Sequence, residues 1–113
     1  MEFTIHDLKW NIKFVDGISC ENTDEQLCGV TFKLKQEIVI DYNAPDDMLL
    51  RIITHELVHA FIWSYGFECF KPFTEEQLCS FIESYIVDIN YISNRIYDEC
   101  IEYKYKEKFE GKS

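Results

Sequence analysis

Positive charge is scarce in this chain: 11 lysine and arginine residues stand against 21 aspartate and glutamate residues, a formal net charge of −10 over 113 residues. Such a chain is repelled by a phosphate backbone and gains nothing from counterion release, so direct nucleic-acid binding is not expected. The acidity serves solubility first and attraction to a basic partner second. No run approaches the ~20 apolar residues a membrane helix needs, so no membrane span is expected. No charged-then-apolar leader opens the chain either. Cys-x-x-Cys spacing is also missing. The five cysteines, Cys20, Cys28, Cys69, Cys79 and Cys100, are odd in number and are expected to be free thiols in a reducing cytoplasm.

What is present suits one domain, 1–113, with a single core of ordinary size. Nine phenylalanines, seven tyrosines and two tryptophans supply large apolar area with polar tips at its margin. Leu8, Trp10, Ile12 and Phe14 recur every second residue, the period of a half-buried strand. A polar loop is expected over residues 18–26. Val30, Phe32 and Leu34 then alternate with polar residues, and Glu37 to Tyr42 forms a further strand. Residues 29–42 are thus expected to make a hairpin turning at Lys35-Gln36.

Asn43-Ala44-Pro45-Asp46-Asp47 carries a capping candidate, an early proline and acids suited to a helix start. The helix is expected to reach about Tyr65 and stop at Gly66. Its residues are apolar on almost every face, the pattern of a buried helix. A second helix opens at Thr74, with Gln77 completing a capping box. Leu78, Ile82, Tyr85, Ile86, Ile89, Ile92 and Ile96 continue it as one long helix, or two in line bending near Asn94. No proline or glycine interrupts it before Gly111. The charged stretch 104–113 is expected to fray. Strands first and helices second make the class α+β: a short antiparallel sheet or hairpin, a buried helix, then a long C-terminal helix.

The chemistry concentrates in His55-Glu56-Leu57-Val58-His59. Histidines four apart on a helix share one face, about 6 Å apart, close enough to grip one ion. Zinc takes imidazole nitrogen in a tetrahedral set, and this spacing offers two corners. Glu56, beside the first histidine, is placed to flank the metal without ligating it and to accept a proton from an activated water. The motif alone is a weak signal, but two of the chain's three histidines lie in it, mid-helix, where an unpartnered polar cluster would be costly. The third histidine, His6, lies before the first strand and is poorly placed to join. A third ligand is expected from the second helix, where Glu75, Glu76 and Glu83 are available. Glu75 shares the stripe of Leu78, Cys79 and Ile82 and so should point inward; Glu76 is the alternative, turned about 100° away.

The stretch from Gly29 to about Tyr85 resembles the ImmA/IrrE-like zinc metallopeptidases, in particular small phage- and prophage-type zincin domains. The matching segments are Ile38-Val39-Ile40-Asp41, Leu49 through His59, and Phe73 through Phe81. The resemblance implies a zincin-like fold. It also implies zinc (Zn2+) held by His55, His59 and Glu75, with Glu56 as the catalytic base in hydrolysis of a peptide bond. Family members cleave regulatory proteins such as repressors. In the family an Asn or Asp follows the third ligand by four residues; here Cys79 stands at that place. The resemblance further implies that a protein or peptide substrate binds by strand addition along residues 37–42. Two other readings remain open: a catalytically inactive zinc-containing phage regulatory module acting by protein–protein interaction, and a metal-free interaction protein. A host-cell cytoplasmic location is expected.

Overall fold

Alternation in the first half of the chain builds the sheet. A computed structural model describes residues 1–18, 28–67 and 72–110. β1 (Glu2–Ile5), β2 (Leu8–Val15), β3 (Gly29–Phe32) and β4 (Glu37–Asp41) form one sheet in the order β1-β2-β4-β3. β1 and β2 make an antiparallel hairpin through His6 and Asp7, both at positive φ (48° and 66°). Two such residues form the turn whose twist matches a hairpin. It is built here without glycine or Asn-Gly, so neither the turn nor the four-residue β1 stands out in the sequence. β3 and β4 pair antiparallel, as the alternation at 29–42 requires, with Gln36 at φ 52° closing the turn.

β2 and β4 run parallel, in register from Asn11↔Glu37 to Val15↔Asp41. The sheet is therefore mixed, which corrects the expectation of an antiparallel one. The chain leaves β2, builds β3 on the far side of β4, and returns to place β4 between them. A second correction follows. Residues 37–41 are hydrogen-bonded on both sides and offer no edge; the outer strands are β1 and β3. The loop expected at 18–26 falls, from residue 19 onward, outside the described residues.

One face of the sheet is apolar: Phe3, Ile5, Trp10, Ile12, Ile38 and Ile40 are buried there, while Lys9 and Lys13 point to water. On that face lie the buried residues of two helices. α1 (Asp46–Ser64) contributes Leu49, Ile53, Leu57, Ala60 and Phe61. Pro45 is its N-cap, Asp46 and Asp47 occupy its first turn, and Gly66 follows its C-cap at φ 77°. The Trp10 indole N–H donates to the Ser64 hydroxyl at 2.9 Å, tying β2 to the last turn of α1. Not every face of α1 is covered as the sequence suggests, because Met48, Arg51 and His55 are exposed.

α2 (Glu75–Glu110) is one helix of 36 residues. At 1.5 Å per residue it measures about 54 Å, which matches the 53 Å long axis of the molecule. Its start follows the capping-box pattern: Gln77 N–H donates to the Thr74 hydroxyl oxygen (3.1 Å) and Thr74 N–H to Gln77 Oε1 (2.9 Å). The stretch expected to fray from Lys104 is helical through Glu110, and Lys104 itself is buried. Its ammonium donates to the Ala44 carbonyl (3.0 Å) and to Asp46 Oδ1 (2.5 Å), while the Tyr105 hydroxyl donates to Asp46 Oδ2 (2.5 Å). A long stem lying in apolar surface with its head on a carboxylate is ordinary amphipathic packing. It anchors the end of α2 to the start of α1.

Among the described residues Cys28, Cys79 and Cys100 are free thiols. Burial pushes the Cys100 thiol up to about 11. Cys20 and Cys69 lie outside the described residues. No described helix is long and apolar enough to cross a membrane.

Two predictions follow from this packing. The Ser93 hydroxyl is fully buried and has no hydrogen-bond partner among the described residues, so Ser93→Ala should stabilise the fold by about 1 kcal/mol in denaturant titration. Asp46 is held below its ordinary value of 3.8, first by the Lys104 hydrogen bond and then by that from Tyr105. Its contribution is therefore complete above the ordinary carboxylate range and is lost as pH falls through the depressed value. Melting temperatures of Asp46→Asn should be lower than wild type at neutral pH and converge with it in acid.

Candidate active site

α1 passes beside the edge strand β3, and its residues sort by direction around the helix. His55 and His59 project together: their ring centroids are 5.0 Å apart with planes at 78°. His55 is exposed and His59 half-buried. Glu56, about 100° further round, turns toward β3 and is only 9 % exposed. A carboxylate at that depth needs a partner, and Thr31 provides one. Its hydroxyl lies 2.8 Å from Glu56 Oε1 and 3.1 Å from the Glu56 main-chain oxygen. A hydroxyl carries one proton, so the shorter contact to the carboxylate is the main bond.

Such closeness of strand and helix depends on Gly29. A Cβ there would stand 2.9 Å from Glu56 Cγ and 3.0 Å from Ile52 Cγ2, nearer than side chains tolerate without movement. In front of this contact opens a cavity of about 520 Å³ lined by Cys28, Gly29, Met48, Arg51, His55 and Glu56, among others. Thus Glu56 and His55 face one solvent-filled space, and a guanidinium shares it. On the other flank of the histidine stripe, Val58 and Ile62 join Phe73, Leu78, Ile82 and Ile86 around a wholly apolar cavity of about 280 Å³.

The third ligand is not assembled in the same way. Glu75 and Glu76 both occupy the first turn of α2 and both are exposed, as are Glu83 and Cys79. The stripe that was to carry Glu75 inward is itself half-exposed at Leu78 and Ile82. Among the described residues no group of three histidine, cysteine, aspartate or glutamate side chains is disposed to hold one ion. His55 and His59 fit the chemistry of a zinc site as two imidazole donors on one face; among the described residues no further donor set completes it. His6 packs its ring against Tyr65, the C-cap of α1, at 4.6 Å. Tyr65 stacks on Tyr85 at 4.2 Å, and Tyr42 meets Tyr103 edge-on at 5.4 Å. These four tyrosines are packing residues and none lines the cavity of His55 and Glu56.

Thr31, Gly29 and Arg51 are the parts that residue-by-residue reading passes over. Thr31 counts in the sequence only as a polar residue of an alternating strand. Arg51 precedes His55 by one helical turn, a spacing that would have placed it on the same face. No family model, no curated protein and no solved structure matches this chain.

Removing the Thr31 hydroxyl should leave a buried carboxylate short of a donor. Thr31→Val is therefore expected to cost about 1–3 kcal/mol in denaturant titration at neutral pH, while Thr31→Ser retains most of the stability. Gly29→Ala should cost about 1–3 kcal/mol by overpacking, and the loss should shrink when measured in an Ile52→Ala background, which lacks the Cγ2 that the new methyl would meet.

Proposed function

We propose that this protein is a zinc-dependent peptidase of minimal, zincin-like design, with His55, His59 and Glu75 as metal ligands and Glu56 as the general base. The observation that carries the proposal is the placement of Glu56, oriented by Thr31 and facing the same cavity as His55, one residue from an ion-gripping histidine pair. A bound zinc ion would supply Lewis acidity and an acidified water at neutral pH. Glu56 takes the proton of the attacking water on its carboxylate and hands it to the departing amine. Thr31 holds one carboxylate oxygen, which leaves the other for that exchange. Arg51, on the rim of the same cavity, is placed to meet negative charge developing on the carbonyl oxygen.

Substrate would lie along β3. The interior position of β4 rules out strand addition at 37–42. Among the described residues β3 pairs only with β4, so its other edge is available beside the cavity. An extended peptide added there runs past Glu56. The second reading, a zinc-containing regulatory module that works by binding alone, is favoured by one observation: Glu75 is exposed and, among the described residues, joins no three-ligand group.

The two readings part on Glu56. With a proteome-derived peptide mixture and mass-spectrometric detection of new termini, the wild-type protein should cleave. Glu56→Gln should cleave about 10²-fold or more slowly at unchanged zinc content, and Arg51→Ala about tenfold more slowly. New termini forming equally fast with Glu56→Gln would dismiss Glu56 as the base. None forming with zinc-loaded wild type would favour the binding module.

A further inference from the structure

The opposite edge of the sheet carries a second candidate surface, remote from the histidine pair. In the β1–β2 hairpin, Met1 and Ile12 face each other as a hydrogen-bonded pair, with Ile12 N–H donating to the Met1 carbonyl at 2.9 Å. Antiparallel pairs alternate, so Phe3 and Ile5 spend their backbone groups on Trp10 and Leu8. Glu2 and Thr4 therefore turn their N–H and C=O away from β2, toward the open edge. Unspent edge groups of this kind are a template for another strand.

What lies beyond that edge is a groove. A cavity of about 460 Å³ separates β1 from α2, with Thr4, His6, Tyr65, Asp88, Tyr91 and Arg95 among its lining. α2 runs antiparallel to β1 here: Asp88 is near His6 and Tyr65, while Glu99 shares a neighbouring cavity with Met1. The groove is charged unevenly along its length. Asp7 and Asp88 both act on the Tyr65 hydroxyl and so mark the His6 end. Arg95 lies further along α2, over the exposed ring of Tyr91 at 5.8 Å. Two copies of a chain of net charge −10 repel each other, which argues against self-pairing at this edge.

We propose that this groove binds an extended segment of another polypeptide as a fifth strand on β1, with a basic group toward Asp7 and Asp88 and an acidic group toward Arg95. The backbone of Thr4 supplies the central pair of hydrogen bonds, and Tyr91 and Ile92 floor the groove for the peptide's apolar side chains. An antiparallel segment would place its basic residue first and its acidic residue last.

The test is a titration of the 15N-labelled full chain with the end-capped peptide Lys-Thr-Val-Thr-Glu, whose lysine, valine and glutamate share the face toward α2. An all-acidic analogue and an analogue with proline at both threonines, the positions whose N–H groups face β1, serve as controls. Amide shifts should concentrate at Glu2, Thr4 and His6, and both analogues should bind about tenfold more weakly or worse. Thr4→Pro removes the outward N–H without touching the β2 ladder, as proline is tolerated on edge strands, and should weaken binding about tenfold. If that variant does not fold, the exposed pair Asp88→Asn with Arg95→Gln should weaken it comparably. Shifts confined to other surfaces, or equal affinity for the proline analogue, would overturn the proposal. So would a concentration-dependent dimer of the free protein that Thr4→Pro abolishes, because the edge would then belong to a second copy.

Discussion

A carboxylate buried in the seam between a helix and an edge strand sets the terms for this structure. Glu56 has little contact with water, and its stability there rests on the Thr31 hydroxyl. Thr31 can reach it only because β3 lies against α1, and β3 lies that close only because residue 29 has no side chain. β3 in turn holds its place through β4, which must then be interior and parallel to β2. A single polar requirement thus runs from one side chain to the sheet order. The same requirement leaves His55 exposed and His59 half-buried, on a flank of α1 apart from the face that meets the sheet.

The long helix α2 connects the features of the molecule that carry chemistry. Its first turn presents Glu75 and Glu76, its middle walls the groove beside β1, and its last turns fasten Lys104 to Ala44 and Asp46. Because Lys104 and Tyr105 both bond Asp46, the C-terminal end of α2 and the N-terminal end of α1 form one electrostatic unit. The outer strands β1 and β3 border different cavities with different lining. One edge faces a buried carboxylate beside two imidazoles; the other faces a groove with carboxylates at one end and a guanidinium further along.

Much of this was legible in the residues, and the remainder has physical reasons for being hidden. β2, the β3–β4 hairpin, both helices and the capping box of Thr74 and Gln77 follow from period, punctuation and cap chemistry, all local properties. β1 escaped because four residues carry only two apolar positions, and because His6 and Asp7 adopt a glycine-like conformation without being glycine. The parallel pairing of β2 with β4 is non-local: the alternation of each strand is the same whichever neighbour it takes. Lys104 looked like the start of a charged tail, since composition does not reveal that one ammonium has a carbonyl and a carboxylate waiting 58 or more residues away. At the site, helical spacing was enough to put the rings of His55 and His59 side by side with Glu56 on the adjoining flank. It could not give the exposure of Glu75, because helical phase along α2 does not say how far that helix end stands from α1.

The central claim is that the histidine pair holds a metal with an acid from α2, and metal content tests it most directly. Purified protein, loaded with zinc and analysed by native mass spectrometry, should carry about one zinc per chain. His55→Ala and Glu75→Ala should lose it, and Glu76→Ala should keep it. A wild-type chain that takes up no zinc at saturating supply would contradict the account and leave an acidic interaction domain. Zinc retained by Glu75→Ala but lost from Glu76→Ala would move the third ligand by one residue and leave the pair in place.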